Sequence, residues 1–211
     1  MDEHAVNQFK SSNMMYVSDY INIHYIQPCL EDFLLKDYST AIHSYNVMDL
    51  TANFCRFKKF PEKITEEYCV AALIHDIGKL KIRDDILKAP RKLEIYETHQ
   101  MRIHPEIGYF MASEMGLGEK IADAVLEHHE KLDGTGYPRE LKGSQISDIA
   151  RVITIIDNYE AMTSKVRPYQ HFCMQPDKAL RILEFKAENG EFDKGIFYDF
   201  AGSLDHNQWI Q

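Results

Sequence analysis

Six residues carry the side chains of a possible metal site: the adjacent pair His75-Asp76, the adjacent pair His128-His129, and His104 and Asp157. The first pair closes an apolar run, A-A-L-I-H-D-I-G-K-L from Ala71 to Leu80. An imidazole and a carboxylate side by side at a buried helix end are costly unless something charged compensates them, and a divalent cation is one such thing. A plain helix terminus with a polar pair is the other reading. Asp157 interrupts a second apolar stretch that includes Ile149, Val152, Ile153, Ile155 and Ile156. An unpaired carboxylate there would cost several kcal/mol. Adjacent residues on a helix point about 100° apart, so paired ligands diverge and can serve two ions. Imidazole with carboxylate suits zinc, iron, manganese or nickel, and the lack of a thiolate set argues against a structural zinc finger. No Ser-His-Asp or Cys-His arrangement, P-loop or GxGxxG is present in a plausible context. The long spacings alone do not establish that the six residues converge.

The elements that would position them read as helices. Tyr16 to Leu35 holds one or two short helices, interrupted where Pro28 should break or kink the chain. Asp37 or Ser39 is placed to cap a helix over about 40–57, with His43 one turn before Val47. Pro61 starts a helix over about 62–75, with acidic residues in its first turn. Residues 81–92 read as a loop or short helix. A helix over 93–103 ends at His104-Pro105, another covers 105–115, and an amphipathic one covers 117–130. Residues 131–138, K-L-D-G-T-G-Y-P, form a turn-rich loop. The β-branched stretch 146–164 permits a strand, but its length and alanine content favour a buried helix. Helices over 176–187 and 192–204 follow. No useful period-2 alternation appears, so the chain is expected to be all-α and one domain.

The 211 residues are enough for a sizeable core, and 45% hydrophobic with 27% charged residues fits a soluble globular protein. A net charge of −9 argues against a nucleic-acid duplex or an anionic membrane as partner. It leaves room for an anionic substrate, because bound cations invert the local field. No signal peptide or membrane-length apolar run is seen. Cys29, Cys55, Cys69 and Cys173 are widely spaced, which fits free thiols in a reduced cytoplasmic protein.

The motifs H-D-I-G-K at 75–79, H-P-E-I-G at 104–108 and H-H-E-K-L-D-G-T-G-Y-P at 128–138 resemble the HD-GYP family, a branch of the HD metal-dependent phosphohydrolases. The last motif is long and specific, and the resemblance covers about residues 40–185. It implies a helical bundle of the HD type, with an N-terminal helical extension over 1–39 and the catalytic domain over 40–211. It also implies two or three metal ions, often iron or manganese, with zinc, nickel or magnesium as alternatives. The substrate would be a cyclic dinucleotide, chiefly cyclic di-GMP, opened to the linear dinucleotide or to GMP.

By motif, His43 corresponds to the first ligand, and His75 and Asp76 to the name-giving pair, with Asp76 bridging two metals. His104, His128 and His129 would complete the second metal's shell, and Asp157 would return to the first. Two cations would activate a water for attack on phosphorus. Asp76 and Lys79 are the catalytic candidates, Lys79 approaching the substrate phosphate, with Arg167 a further phosphate contact. Asp133, Gly134, Gly136, Tyr137 and Pro138 would serve loop shape and partner contacts. For the two glycines, a plain turn role serves as well.

The chain also departs from the family. Ser39 stands where some members carry a glutamate that helps hold a third metal, so two ions are expected. Glu160 replaces a common aspartate at a position of lesser weight. The run T-S-K-V-R-P-Y is one residue longer than usual, with Gln170 where a basic residue is common. No sensor or receiver domain is expected before the catalytic part, so regulation would come from a partner or from the short N-terminal region. The candidate protein partners are a regulatory protein and, as a homodimer, a second copy of the chain. A different HD phosphohydrolase specificity and a catalytically weak signalling module are the alternative functions.

Overall fold

A computed structural model of the chain describes residues 26–164 and 173–204. Helices run in the order α1 (Gln27–Lys36), α2 (Tyr38–Phe57), α3 (Glu62–Ile74), α4 (Asp84–Leu87), α5 (Ile95–Met101), α6 (His104–Glu114), α7 (Glu119–Glu127), α8 (Asp148–Thr163), α9 (Pro176–Glu188) and α10 (Lys194–Ser203). A 3-10 turn (Ile77–Lys81) follows α3, and another (Gly143–Gln145) precedes α8. No strand occurs among the described residues, as the absence of period-2 patterning requires.

Two helices form the frame. The Asp37 side chain accepts from the Ser39 and Thr40 amides and starts α2, so Asp37 rather than Ser39 is the cap. Helix α2 buries Ala41, Tyr45, Met48, Ala52 and Cys55, a stripe at three- and four-residue spacing. It packs on α1, α3, α8 and α10. Helix α8, capped by Ser147, is buried on most of its circumference and touches α2, α3, α7, α9 and α10. That explains the near-continuous apolar run around Asp157. Helix α1, within the expected extension, sends Ile26, Leu30, Phe33 and Leu34 into the same core.

Two local expectations change. Pro28 does not break the helix but lies in the first turn of α1, where its missing N–H costs nothing. His104 does not trail a helix but opens α6, followed by Pro105 at the favoured start position. Residues 81–92 are a loop with a short helix, as expected: the end of the 3-10 turn, the four-residue α4, and then irregular chain. The four cysteines are free, and burial pushes the Cys55 and Cys69 thiols up to about 12. No helix among the described residues is long and apolar enough to cross a membrane.

Candidate metal centre

The seven candidate ligands arrive from five places in the chain and meet in the core. His43 projects from the second turn of α2, and Asp157 from α8. His75 ends α3, and Asp76 precedes the 3-10 turn. His104 opens α6, while His128 ends α7 and is followed by His129. They form two sets, His43-His75-Asp157 and Asp76-His104-His128-His129, and within each the ligand atoms lie within 4.8 Å of one another. Asp76 faces both. Its Oδ1 is 3.1 Å from His104 Nε2 and 3.9 Å from His128 Nε2. Its Oδ2 is 3.5 Å from His75 Nε2 and 3.9 Å from His43 Nε2.

The backbone decides which ring nitrogens can bind. His75, His104 and His128 each place Nδ1 2.7–2.8 Å from the carbonyl three residues earlier, Ala72, Met101 and Val125. A carbonyl only accepts, so each Nδ1 carries the proton and each neutral Nε2 presents a lone pair to the interior. His104 Nε2 and His128 Nε2 are nevertheless only 3.2 Å apart. His75 Nε2 and Asp76 Oδ1 are buried without a hydrogen-bond partner among the described residues. Lone pairs crowded together and unsatisfied are costly. A cation between them removes that cost, so the donor set fits divalent metal ions.

The electrostatics agree. Burial works most strongly on Asp76 and opposes its charge, but the Lys79 ammonium 2.5 Å from its Oδ2, together with His75 and His104, outweighs it and holds the carboxyl well below its ordinary value. Burial likewise opposes Asp157, and contact with His43 at 2.9 Å holds it low. Burial drives His128 well below the usual histidine range and lowers His129 to about 3, helped by neighbouring imidazoles. Ionised carboxylates beside neutral imidazoles are the forms that ligate metals.

A family model for the HD domain matches residues 28–196. The chain belongs to the HD domain family. A cyclic di-GMP phosphodiesterase of Pseudomonas aeruginosa is 37% identical over 170 residues, covering 80% of this chain and 40% of that protein. A 3'3'-cGAMP-specific phosphodiesterase of Vibrio cholerae is 41% identical over 114 residues, 54% of this chain and 24% of that one. The chain thus spans less than half the length of these curated relatives. A solved structure described as an HDG"Y"P protein from Bdellovibrio bacteriovorus superposes with a TM-score of 0.61 at 15% identity, over 78% of this chain and 52% of that one. It shares the fold.

Within this HD domain the motif glycines act by close approach. A Cβ on Gly78 would lie 2.0 Å from the His104 carbonyl oxygen and 2.7 Å from the Gly108 nitrogen. The turn bearing Asp76 and the helix opened by His104 can therefore touch backbone to backbone. A Cβ on Gly136 would come within 2.6 Å of backbone at His129, Glu130 and Lys131. Only Gly134 of the loop pair has a positive φ, +82°. Gly136 thus does more than turn the chain.

Several supporting residues were not legible as such. Glu160 is buried; its carboxylate accepts from His43 Nδ1 and, at 2.7 Å, from Asn46. Its position is therefore not of lesser weight, because it fixes the tautomer of a candidate ligand. A carboxylate one helical turn after Asp157 was the available signal. Thr154 Oγ1 donates to the His128 carbonyl at 2.9 Å, and buried Glu130 accepts from the Arg139 and Leu141 amides. Tyr137 stacks on His129 with centroids 4.7 Å apart. Lys79 lies on Asp76 rather than standing apart from the ligands. Arg167 lies outside the described residues.

Proposed function

We propose that this HD domain is a metal-dependent phosphodiesterase that hydrolyses a cyclic dinucleotide, with cyclic di-GMP as the first candidate, to the linear dinucleotide or GMP. The observation that carries the reading is Asp76: its two oxygens face two separate groups of Nε2 lone pairs. In this reading that one carboxylate would serve both ions. His43, His75, Asp76 and Asp157 would hold one, and Asp76, His104, His128 and His129 the other. The family resemblance makes iron or manganese the first candidates; the nitrogen–oxygen donor set suits zinc or nickel as well. Such ions supply Lewis acidity at phosphoryl oxygens and a nucleophilic water at neutral pH.

The chain's own residues do the rest. The carbonyls of Ala72, Met101 and Val125 hold three imidazoles with Nε2 inward. Glu160 does the same for His43. Lys79 is the nearest ammonium to a phosphoryl group at Asp76 and offsets charge that grows on its oxygens. Arg167 is retained as a candidate phosphate contact. The relatives' names support the substrate class, and they differ in one base, cyclic di-GMP against cGAMP. The test is turnover of a cyclic dinucleotide panel with Mn²⁺ or Fe²⁺ under reducing conditions. Hydrolysis of cyclic di-GMP that a chelator abolishes is expected. Absence of hydrolysis of every member by metal-loaded protein would overturn the reading.

A further inference from the structure

A cyclic dinucleotide carries two phosphodiesters, and only one can sit at the metal centre at a time. The other remains a full negative charge against a chain of net charge −9. It needs a cation away from the ligands. Arg102 follows the last residue of α5, two residues before His104, and is exposed. Its guanidinium carbon lies 4.8 Å from the centroid of the Tyr137 ring, and Tyr137 in turn stacks on His129 at an interplanar angle of 28°. Imidazole, phenol and guanidinium thus form a connected set from the candidate ligand His129 to the rim. Among the described residues Arg102 has no ion pair with a carboxylate, unlike Arg83, Arg91 and Arg151. Contact with a ring does not consume the N–H donors of a guanidinium, so they remain available to an anion. A planar fork of that kind matches two oxygens of a phosphodiester.

We infer that Arg102, held by Tyr137, binds the second, non-scissile phosphodiester of the cyclic dinucleotide. The inference rests on the phosphodiesterase reading and adds a substrate-anchoring residue outside the metal ligands. It is tested with Arg102→Ala and Arg102→Lys in metal-loaded protein, using cyclic di-GMP and bis(4-nitrophenyl) phosphate, a diester with a single phosphate. Losing a charge-assisted bidentate contact should raise KM for cyclic di-GMP by about ten- to a hundredfold. The loss in kcat/KM on the single-phosphate diester should be at least about tenfold smaller. Calorimetry with the hydrolysis-resistant bis-phosphorothioate of cyclic di-GMP should show Kd rising with KM. Arg102→Lys should recover part of both, because charge survives and the fork does not. Elemental analysis should find wild-type metal content in both variants. Equal losses on the two substrates, or metal lost in step with activity, would show that Arg102 acts through Tyr137 and His129 and would overturn the inference. Unchanged KM and Kd for the dinucleotides would overturn it outright. Wild-type protein that cleaves the simple diester but no cyclic dinucleotide would instead bring down the substrate reading, and the inference with it.

Discussion

Asp76 is the residue on which the centre turns, since one of its oxygens faces each ligand set. Asp76→Ala is expected to lower kcat on the order of a thousandfold and to reduce metal per chain, read by steady-state kinetics and elemental analysis. Lys79 separates catalysis from metal holding. Lys79→Ala should keep its metal yet lose about a hundredfold in kcat. In chelator-treated protein the same variant leaves the Asp76 carboxylate buried without its ammonium, which should cost on the order of 1–3 kcal/mol in denaturant unfolding. The buried imidazoles set a pH dependence of their own. Folded His128 and His129 have pKa values below their unfolded value, so between that value and the folded one the unfolded chain binds more protons. Stability of chelator-treated protein should therefore be full above about pH 6.5 and fall as pH drops from there. Differential scanning fluorimetry between pH 7.5 and 5 checks the sign; metal-loaded protein should hold its melting temperature further into the acid range.

At the scale of elements, the centre depends on how closely α6 approaches the 3-10 turn. Gly78→Ala puts a Cβ against the His104 carbonyl and the Gly108 nitrogen, both backbone, so no side chain can swing away. The turn and helix must separate, carrying Asp76 from His104. A cost of about 1–3 kcal/mol is expected, lowering the melting temperature by roughly 2–12 °C and weakening metal binding. Thermal unfolding and metal titration measure both. Helix α1 secures the same turn from the other side: Lys36 Nζ donates to the carbonyls of Leu80 and Ile82, each at 2.7 Å. The segment read from sequence as an extension thus braces the turn that carries Lys79.

For the whole molecule the expected stoichiometry is two metals per chain. A third ion would need carboxylate near Ser39, and Asp37 is the nearest candidate there. Its oxygens are already engaged: Oδ1 accepts from the Ser39 amide and hydroxyl, and Oδ2 accepts from Thr40 Oγ1 at 2.6 Å. A carboxylate committed to a helix cap is a poor source of a further ligand, and a third cation would meet repulsion from the first two. Anomalous diffraction or elemental analysis of protein purified without chelators should find two ions, and three fully occupied sites would contradict this.

The sequence by itself determined the helical class and the candidate ligands, because both are written locally. Apolar spacing marks the helices, and a histidine or aspartate inside an apolar run must be compensated wherever it lies. The H-D-I-G-K and H-H-E-K-L-D-G-T-G-Y-P motifs also carried the family. Convergence was not local: His43 and Asp157 are 114 positions apart and meet only because α2 packs on α8. Nor was the tautomer of each imidazole, which depends on a carbonyl or carboxylate within hydrogen-bond reach of Nδ1. Glu160 was undervalued and Arg102 invisible for the same reason: one matters through His43 on another helix, the other through a loop tyrosine. Residue type and spacing state which chemistry is possible. Which lone pairs face one another, and which cation is left uncommitted at the rim, follow only from packing, where distance no longer tracks separation along the chain.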